Sequence, residues 1–517
     1  MARDESKERP LQLAWRRLIG RLPGLAEREV STAQQELAGT RLHGVLRDAL
    51  HAHPGKSGIV QLRDGYDALA ARILLADAAE RTLDLQYYIW RNDRSGALLF
   101  DAVRRAADRG VRVRIQLDDN NTAGMDTLLR ALDAHPRIEI RLFNPFVHRR
   151  LRALGFLTDF ARLNRRMHNK SFTVDNQVTL VGGRNIGDEY FDAHKDISFV
   201  DLDVLAVGPV VQEVSRFFDA YWSSDSSYPA ERILGAVEAQ RARPIADAAL
   251  ALATTPAAVA LRAALDDSPL VAQLLDGTLE YRWAVTHMFC DHPAKALDRA
   301  PRRSSLLGRL RETLGAPERE LQLVSPYLVP TRQGLALLTT LARGGVKLSI
   351  LTNSLEATDV AIVHAGYSKR RRRLLRAGIA LHELQRTAPR RSRRERRKRR
   401  DRRITGSPGS SLHAKTFAID RTRVFIGSFN FDERSARLNT EMGFLIDSPE
   451  LAQGLADWFL REVPDRSYRV ELVGRRKLRW REWREDAEIV HDVEPGTRFW
   501  RRAWVACLAW LPIDRLL

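Results

Sequence analysis

Two stretches of the chain carry histidine, lysine, aspartate and asparagine in one spacing. In MHNKSFTVDNQVTLVGGRNIGDEYF these are His168, Lys170, Asp175, Gly182, Gly183 and Asn185. In SSLHAKTFAIDRTRVFIGSFNFDERSARLNTEMGF they are His413, Lys415, Asp420, Gly427, Ser428 and Asn430. Apolar residues around both copies (Phe172, Val174; Phe417, Ile419) predict strands, on which residues two apart point to one face. His168 would then project with Lys170, and His413 with Lys415. A nucleophile or proton carrier beside a permanent cation suits a phosphate ester. The small Gly182-Gly183 and Gly427-Ser428 pairs would let backbone approach an anion, and Asn185 and Asn430 would add amide donors. One such match could be a buried histidine near a strand-edge lysine. Two matches with the same internal spacing argue for shared chemistry.

Elements that could position these groups alternate from Gly58 onward. GIVQL, TLDLQYYIW, VRVRIQLDD and IEIRLF read as strands, with GYDALAARILLADAAE and SGALLFDAVRRAADRG as helices, the second closed by Gly110. After the first motif come LDVLAVG and the helix PVVQEVSRFFDAYW. Residues 225–300 read as a helical connector, with a less regular end in THMFCDHPAKALDR. From Ser304 the first pattern returns. Strands separated by helices imply an α/β fold with its sheet covered on both faces. Gly110 and Gly345 are 235 positions apart, the motif histidines 245, so the second half has gained a net ten residues between these landmarks. The gain falls on 386–411, where Arg386–Arg403 holds 12 Lys or Arg against Glu395 and Asp401. Such a run cannot build a core and reads as a disordered loop. The division expected is an N-terminal segment 1–57, domains over 58–224 and 301–465 joined by the 225–300 connector, and a C-terminal part 466–517.

The 517 residues carry a formal charge of +19, which favours an anionic partner: nucleic acid, an acidic membrane surface or a phosphate-rich substrate. Two cysteines, Cys290 and Cys507, offer no disulfide framework and fit a reducing compartment. No apolar run reaches the ~18 residues of a spanning helix, and the N-terminus lacks the pattern of a secretory signal, so no export is expected. Residues 10–26 predict a basic amphipathic helix, for a membrane surface or for packing on the domain behind it. SYRVELV and KLRWREW read as strands. The last segment, RFWRRAWVACLAWLPIDRLL, fits an interfacial anchor or a C-terminal helix docked on the fold.

The two motifs resemble the duplicated HKD motif of the phospholipase D superfamily. The flanking TNSLEATDVAIVHAGYSKRRRRLLRAGI and RSARLNTEMGF resemble bacterial cardiolipin synthases of the C type. The resemblance runs from about Gly58 to the C-terminus. It implies two phospholipase D-like α/β domains related by a pseudo-twofold, each a mostly parallel or mixed sheet flanked by helices. It also implies a covalent phosphohistidine, with His168 as nucleophile and His413 as general acid, then base. Lys170, Lys415, Asn185 and Asn430 would hold the phosphate, with no metal and no cofactor. Asp201 and Glu441, matched by following the two copies onward, would orient the histidines. Asp175 and Asp420 would be more structural than chemical. Where the second copy has Ser428 the first has Gly183, which leaves that position without a hydroxyl.

The function implied is transfer of a phosphatidyl group onto phosphatidylglycerol, from phosphatidylglycerol or phosphatidylethanolamine. A phospholipase D would use the same site with water as acceptor, and a phosphodiesterase nuclease would account for the basic run. A non-catalytic binding module fits least, because both motifs are intact. The Trp/Arg tail, and the lack of a recognisable nucleic-acid module, favour lipid over nucleic acid. The partners expected are phospholipids and an anionic membrane surface, with an accessory protein left open. The location expected is the cytoplasmic side of the bacterial inner membrane, peripherally bound.

Overall fold

A computed structural model describes residues 21–510 apart from 26–27, 35–37, 150, 194–197, 267, 387–409 and 485–486. The basic stretch beyond Arg386, and residues 10–20 and 26 of the helix expected over 10–26, therefore lie outside the described residues, while residues 21–25 are not helical.

In the first half, β1 (Ser57–Leu62), β2 (Thr82–Tyr87), β3 (Arg112–Asp118) and β4 (Ile138–Phe143) are followed by β5 (Ser171–Val174) and β6 (Val178–Gly182), which carry the first motif. The short β7 (Ser198–Val200) precedes β8 (Asp203–Val207) and β9 (Ser227–Pro229). The second half holds β10 (Arg282–Cys290), β11 (Glu320–Val324), β12 (Leu328–Val329), β13 (Lys347–Asn353), β14 (Ala380–Leu384) and β15 (Ser410–Leu412). It continues with β16 (Lys415–Ile419), β17 (Arg423–Gly427), β18 (Phe431–Asp432) and β19 (Met442–Asp447), then β20 (Ser467–Val473), β21 (Lys477–Arg484) and β22 (Ala487–His491).

Pairing shows the repeat directly. Strands β4-β3-β2 run parallel and continue antiparallel through β5-β6-β8-β1. Strands β14-β13-β11 run parallel and continue antiparallel through β16-β17-β19-β10. The two series meet where β1 pairs β10, Gly58 opposite Trp283, so one mixed sheet, of 18 strands among the described residues, passes through both halves. The outer edges match as well, β9 lying antiparallel on β4 and β20 on β14.

Helices flank each half, and their starts follow from the local sequence. Asp64 caps Gly65–Ala78 by accepting from the amides of Tyr66 and Asp67, and Asp93 caps Arg94–Asp108 through Gly96. In the second half Ser305 caps Leu306–Leu314 and Thr331 caps Arg332–Arg343 in the same way. Gly110 and Gly345, just past matched helices, share φ +98°, a conformation that favours glycine. Each half has its own apolar core. A third cluster, with Ile59, Met167, Val204, Met288, Ile426 and Phe444, fills the seam between them.

The stretch 225–300 is only partly helical. Helices Ala230–Leu234, Ala239–Ala249, Pro256–Asp266 and Pro269–Leu275 lead into β10, the counterpart of β1. Alternating burial along Ala284–Met288 is the strand signal that the helical reading passed over. The C-terminal part adds three strands where two were expected. It then forms a helix, Phe499–Trp510, that docks through Val505, Leu508 and Ala509 on Leu355, Ala361 and Ala365.

Candidate active site

The motif strands place the histidines where the two halves meet. His168 donates its backbone N–H to Thr440 O (2.9 Å), and His413 donates its own to Val200 O (2.8 Å). The residue after each acceptor is a carboxylate. Glu441 Oε2 lies 2.8 Å from His168 Nδ1, and Asp201 Oδ2 hydrogen-bonds His413 Nδ1. Each histidine is thus oriented by the opposite half. Parallel pairing of β7 with β15 holds the second of these registers. Both rings and both carboxylates are buried.

Gly183 and Ser428 differ because the carboxylates differ. Glu441 is one methylene longer than Asp201 and is bracketed by hydroxyls. Ser428 Oγ donates to its Oε2 (2.5 Å) and Ser435 Oγ to its Oε1 (2.7 Å). Asp201 sits closer to the backbone of the preceding strand, and a Cβ at Gly183 would lie 2.1 Å from its Oδ1. No hydroxyl fits there. Gly182 and Gly427 serve strand packing rather than an anion: a Cβ would meet Asp203 Oδ1 at 2.1 Å and Met442 O at 2.3 Å respectively.

A cavity of about 640 Å³ spans the two halves, lined by His168, His413, Asn185 and Asn430 together. Asn185 Nδ2 and Asn430 Oδ1 are buried without a hydrogen-bond partner. Asn185 Oδ1 is held by the amide of Ile89 (3.2 Å), and its side chain also approaches Tyr190, which lines the same cavity. Lys170 and Lys415 are buried but not among the lining residues. Lys170 Nζ donates to His168 O at 2.7 Å, and Lys415 Nζ donates to His413 O.

Burial dominates the electrostatics. It pulls His168 down to about 4, with Lys170 adding to the effect against Glu441. His413 falls to about 3 through burial and then Lys415, against Asp201. Burial likewise lowers Lys170 to about 7 and Lys415 to about 8. Burial alone would raise Asp201, but His413 and Lys415 hold it well below the usual carboxylate range. Lys415 Nζ also lies 2.9 Å from His413 Nδ1, which cannot accept from it while donating to Asp201. The shorter contact is with Asp201, so Nδ1 carries a proton toward that carboxylate.

Asp175 and Asp420 do not join the histidines. Asp175, in the β5–β6 turn at φ +48°, accepts from the amides of Glu80, Arg81 and Thr82 at 2.8–3.0 Å. Asp420, at φ +52°, accepts from those of Glu318, Arg319 and Glu320 at 2.8–3.0 Å. Each ties its hairpin turn to the start of the neighbouring antiparallel strand, β2 or β11. Three amide donors explain why an acceptor-only side chain stands there.

Several lining residues escaped the sequence reading. Tyr88 packs edge-on against His168 (4.9 Å) and Tyr190 against His413 (5.2 Å). Tyr327 donates to Asp359 (2.9 Å), and Arg434 donates to Asn164 Oδ1 (2.8 Å). Tyr88 and Tyr327 follow the carboxyl ends of the matched strands β2 and β11, a position that collects ligand contacts in α/β sheets. Asp359 and Arg434 carry no such signal.

Two matched α/β halves with both histidine motifs on one cavity define an enzyme of the phospholipase D class. Residues 73–222 and 310–463, more than half of the chain, match the family described as cardiolipin synthase, PLD-like domain, and the chain belongs to that family. It is 50% identical to cardiolipin synthase C of Escherichia coli strain K12 over 477 residues, 92% of this chain and 100% of the relative. A cardiolipin synthase of Geobacillus kaustophilus is 25% identical over 405 residues, 78% of this chain and 65% of that one. Among solved structures, phosphatidylserine synthase of Haemophilus influenzae Rd KW20 shares the fold at a TM-score of 0.51 and 13% identity, over 82% of this chain and 90% of that one.

Proposed function

We propose that this protein is a membrane-associated cardiolipin synthase, a phosphatidyltransferase that moves a phosphatidyl group through a phosphohistidine onto phosphatidylglycerol. The observation that carries this reading is the pair of histidines, each held by the other half's carboxylate, on one cavity. His168 Nε2 attacks the donor phosphorus, forming a P–N bond as the bond to the head-group oxygen breaks. That oxygen takes a proton from His413, and the small alcohol leaves. In the second step the glycerol hydroxyl of phosphatidylglycerol gives its proton to His413. Its oxygen attacks phosphorus and the P–N bond breaks.

Burial favours the neutral form of both rings, which suits His168 as nucleophile and leaves His413 one proton short of an acid. An arriving phosphodiester anion offsets the charge of Lys170 and Lys415 and favours proton uptake by His413. The same two cations, with Asn185, stabilise charge on the phosphoryl oxygens. Phosphatidylglycerol or phosphatidylethanolamine as donor differs only in the leaving alcohol.

No helix among the described residues is long and apolar enough to cross a membrane. The reading is tested by expressing the chain in a cardiolipin-deficient bacterium and analysing extracted lipid by mass spectrometry. Cardiolipin should appear with the parent and be absent with either H168A or H413A. Phosphatidic acid in its place would mean that water is the acceptor. Cardiolipin made by either variant would sink the one-site mechanism.

A further inference from the structure

We propose that the protein meets an anionic bilayer through two apolar helical ridges, each tied to residues that line the cavity. One ridge is the helix Phe499–Trp510. Its inner stripe, Val505, Leu508 and Ala509, is spent on the fold. The rest of its surface turns outward with Phe499, Trp500 (78% exposed), Trp504 (61%) and Trp510 (90%). Arg501 Nη2 donates to Thr358 O (3.2 Å), and the chain from Thr358 continues at once into Asp359 and Val360 of the cavity lining. The other ridge is the segment Leu151–Leu163, with helices Arg152–Thr158 and Phe160–Leu163. It exposes Leu151, Leu157 (83%) and Phe160 (47%). Cavity-lining Arg434 holds its end by donating to Asn164 Oδ1 and O, both at 2.8 Å.

Lipid is the occupant that fits. Three outward tryptophans on one short helix cost free energy in water, and their amphipathic rings suit the headgroup level of a bilayer. Among the described residues, no carboxylate pairs with the arginines beside them. Arg501 bonds a carbonyl, and Arg502 bonds Thr497 O and Oγ1. Cationic charge beside exposed tryptophan complements an anionic lipid surface. Each ridge is hydrogen-bonded to a segment that lines the cavity that must receive lipid, an argument that rests on the phosphatidyltransferase reading above.

Cys507 lies exposed on the outward side of the C-terminal helix, and Cys290 is buried. The full-length protein can therefore be labelled at Cys507 with an environment-sensitive thiol probe. Its emission should shift blue with vesicles containing phosphatidylglycerol, and far less with phosphatidylcholine alone. Combining W500S, W504S and W510S with L157S and F160S should weaken vesicle partition about tenfold or more, with turnover of dispersed short-chain phosphatidylglycerol within about twofold of the parent. All five side chains are exposed, so the fold is retained. A probe that stays in water while the protein sediments with vesicles overturns the proposal. So does a blue shift without lipid that grows with protein concentration, which would assign the surface to a second copy. Failure of the parent on the short-chain lipid would instead count against the catalytic reading, with the probe still reporting on the surface.

Discussion

Replacing Glu441 with glutamine tests whether the halves really exchange their carboxylates. Glu441 Oε2 lies 2.8 Å from His168 Nδ1, and neither group is in water. When His168 becomes phosphorylated on Nε2 its ring turns cationic, and at an effective dielectric of ~20 the gross attraction at this distance is about 6 kcal/mol. Glutamine keeps a hydrogen bond of about 1 kcal/mol through its carbonyl oxygen. Its amide nitrogen then faces Ser435 Oγ, which must turn from donor to acceptor. A net loss of about 3–5 kcal/mol, or roughly 10²–10⁴ in rate, falls on formation of the intermediate, in keeping with loss of the carboxylate from a catalytic triad. Rapid-quench labelling with radioactive donor lipid reads that step alone. D201N, acting through His413, should slow acid–base steps and turnover of the intermediate. If E441Q labels at the parental rate while D201N does not label, the roles of the two histidines are reversed.

On its basic side kcat/KM should fall through about 7 to 8, as Lys170 and then Lys415 lose their charge. K170R should move the first basic loss upward, and an unchanged basic limb would remove Lys170 from the account. G183S should cut activity at least about tenfold, because the new side chain must displace Asp201 from His413; parental kinetics would show that Asp201 does not position that ring. D175A should lower unfolding free energy by about 2–4 kcal/mol in urea titration, through three orphaned amides and an alanine at φ +48°, while the folded fraction keeps its kcat. On the proposed mechanism the charge of Lys170 and Lys415 takes the place of a divalent ion, so turnover should survive EDTA; a strict divalent requirement would contradict that role.

The repeat was legible because its spacing is set by a local unit, a strand, a turn and a strand, whose geometry the sequence carries within about twenty residues. The pairing of each carboxylate with the distant histidine was not. Nothing local tells Asp201 that its partner is His413, 212 positions on. That depends on how two sheets join, which the β1–β10 seam and the β7–β15 bridge decide. β10 was read through as part of a helical connector because it follows Ala- and Leu-rich helices. β22 offers only the pair Ile489 and Val490 between Glu488 and His491, a β-branched run too short to mark a strand. Tyr190 and Arg434 join the cavity through turns after the motifs, where periodicity says nothing.

The exchange of carboxylates has a consequence for how such a site can change. In a dimer of identical subunits about a twofold axis, every substitution is made twice, and the two ends of the phosphate must stay alike. Joined in one chain, the positions vary separately. Asp201 against Gly183 on one side, and Glu441 with Ser428 and Ser435 on the other, is a difference that two identical subunits could not hold. On the proposed mechanism the fused molecule gives one imidazole to attack and the other to proton transfer, and each can be fitted with its own carboxylate and its own neighbours.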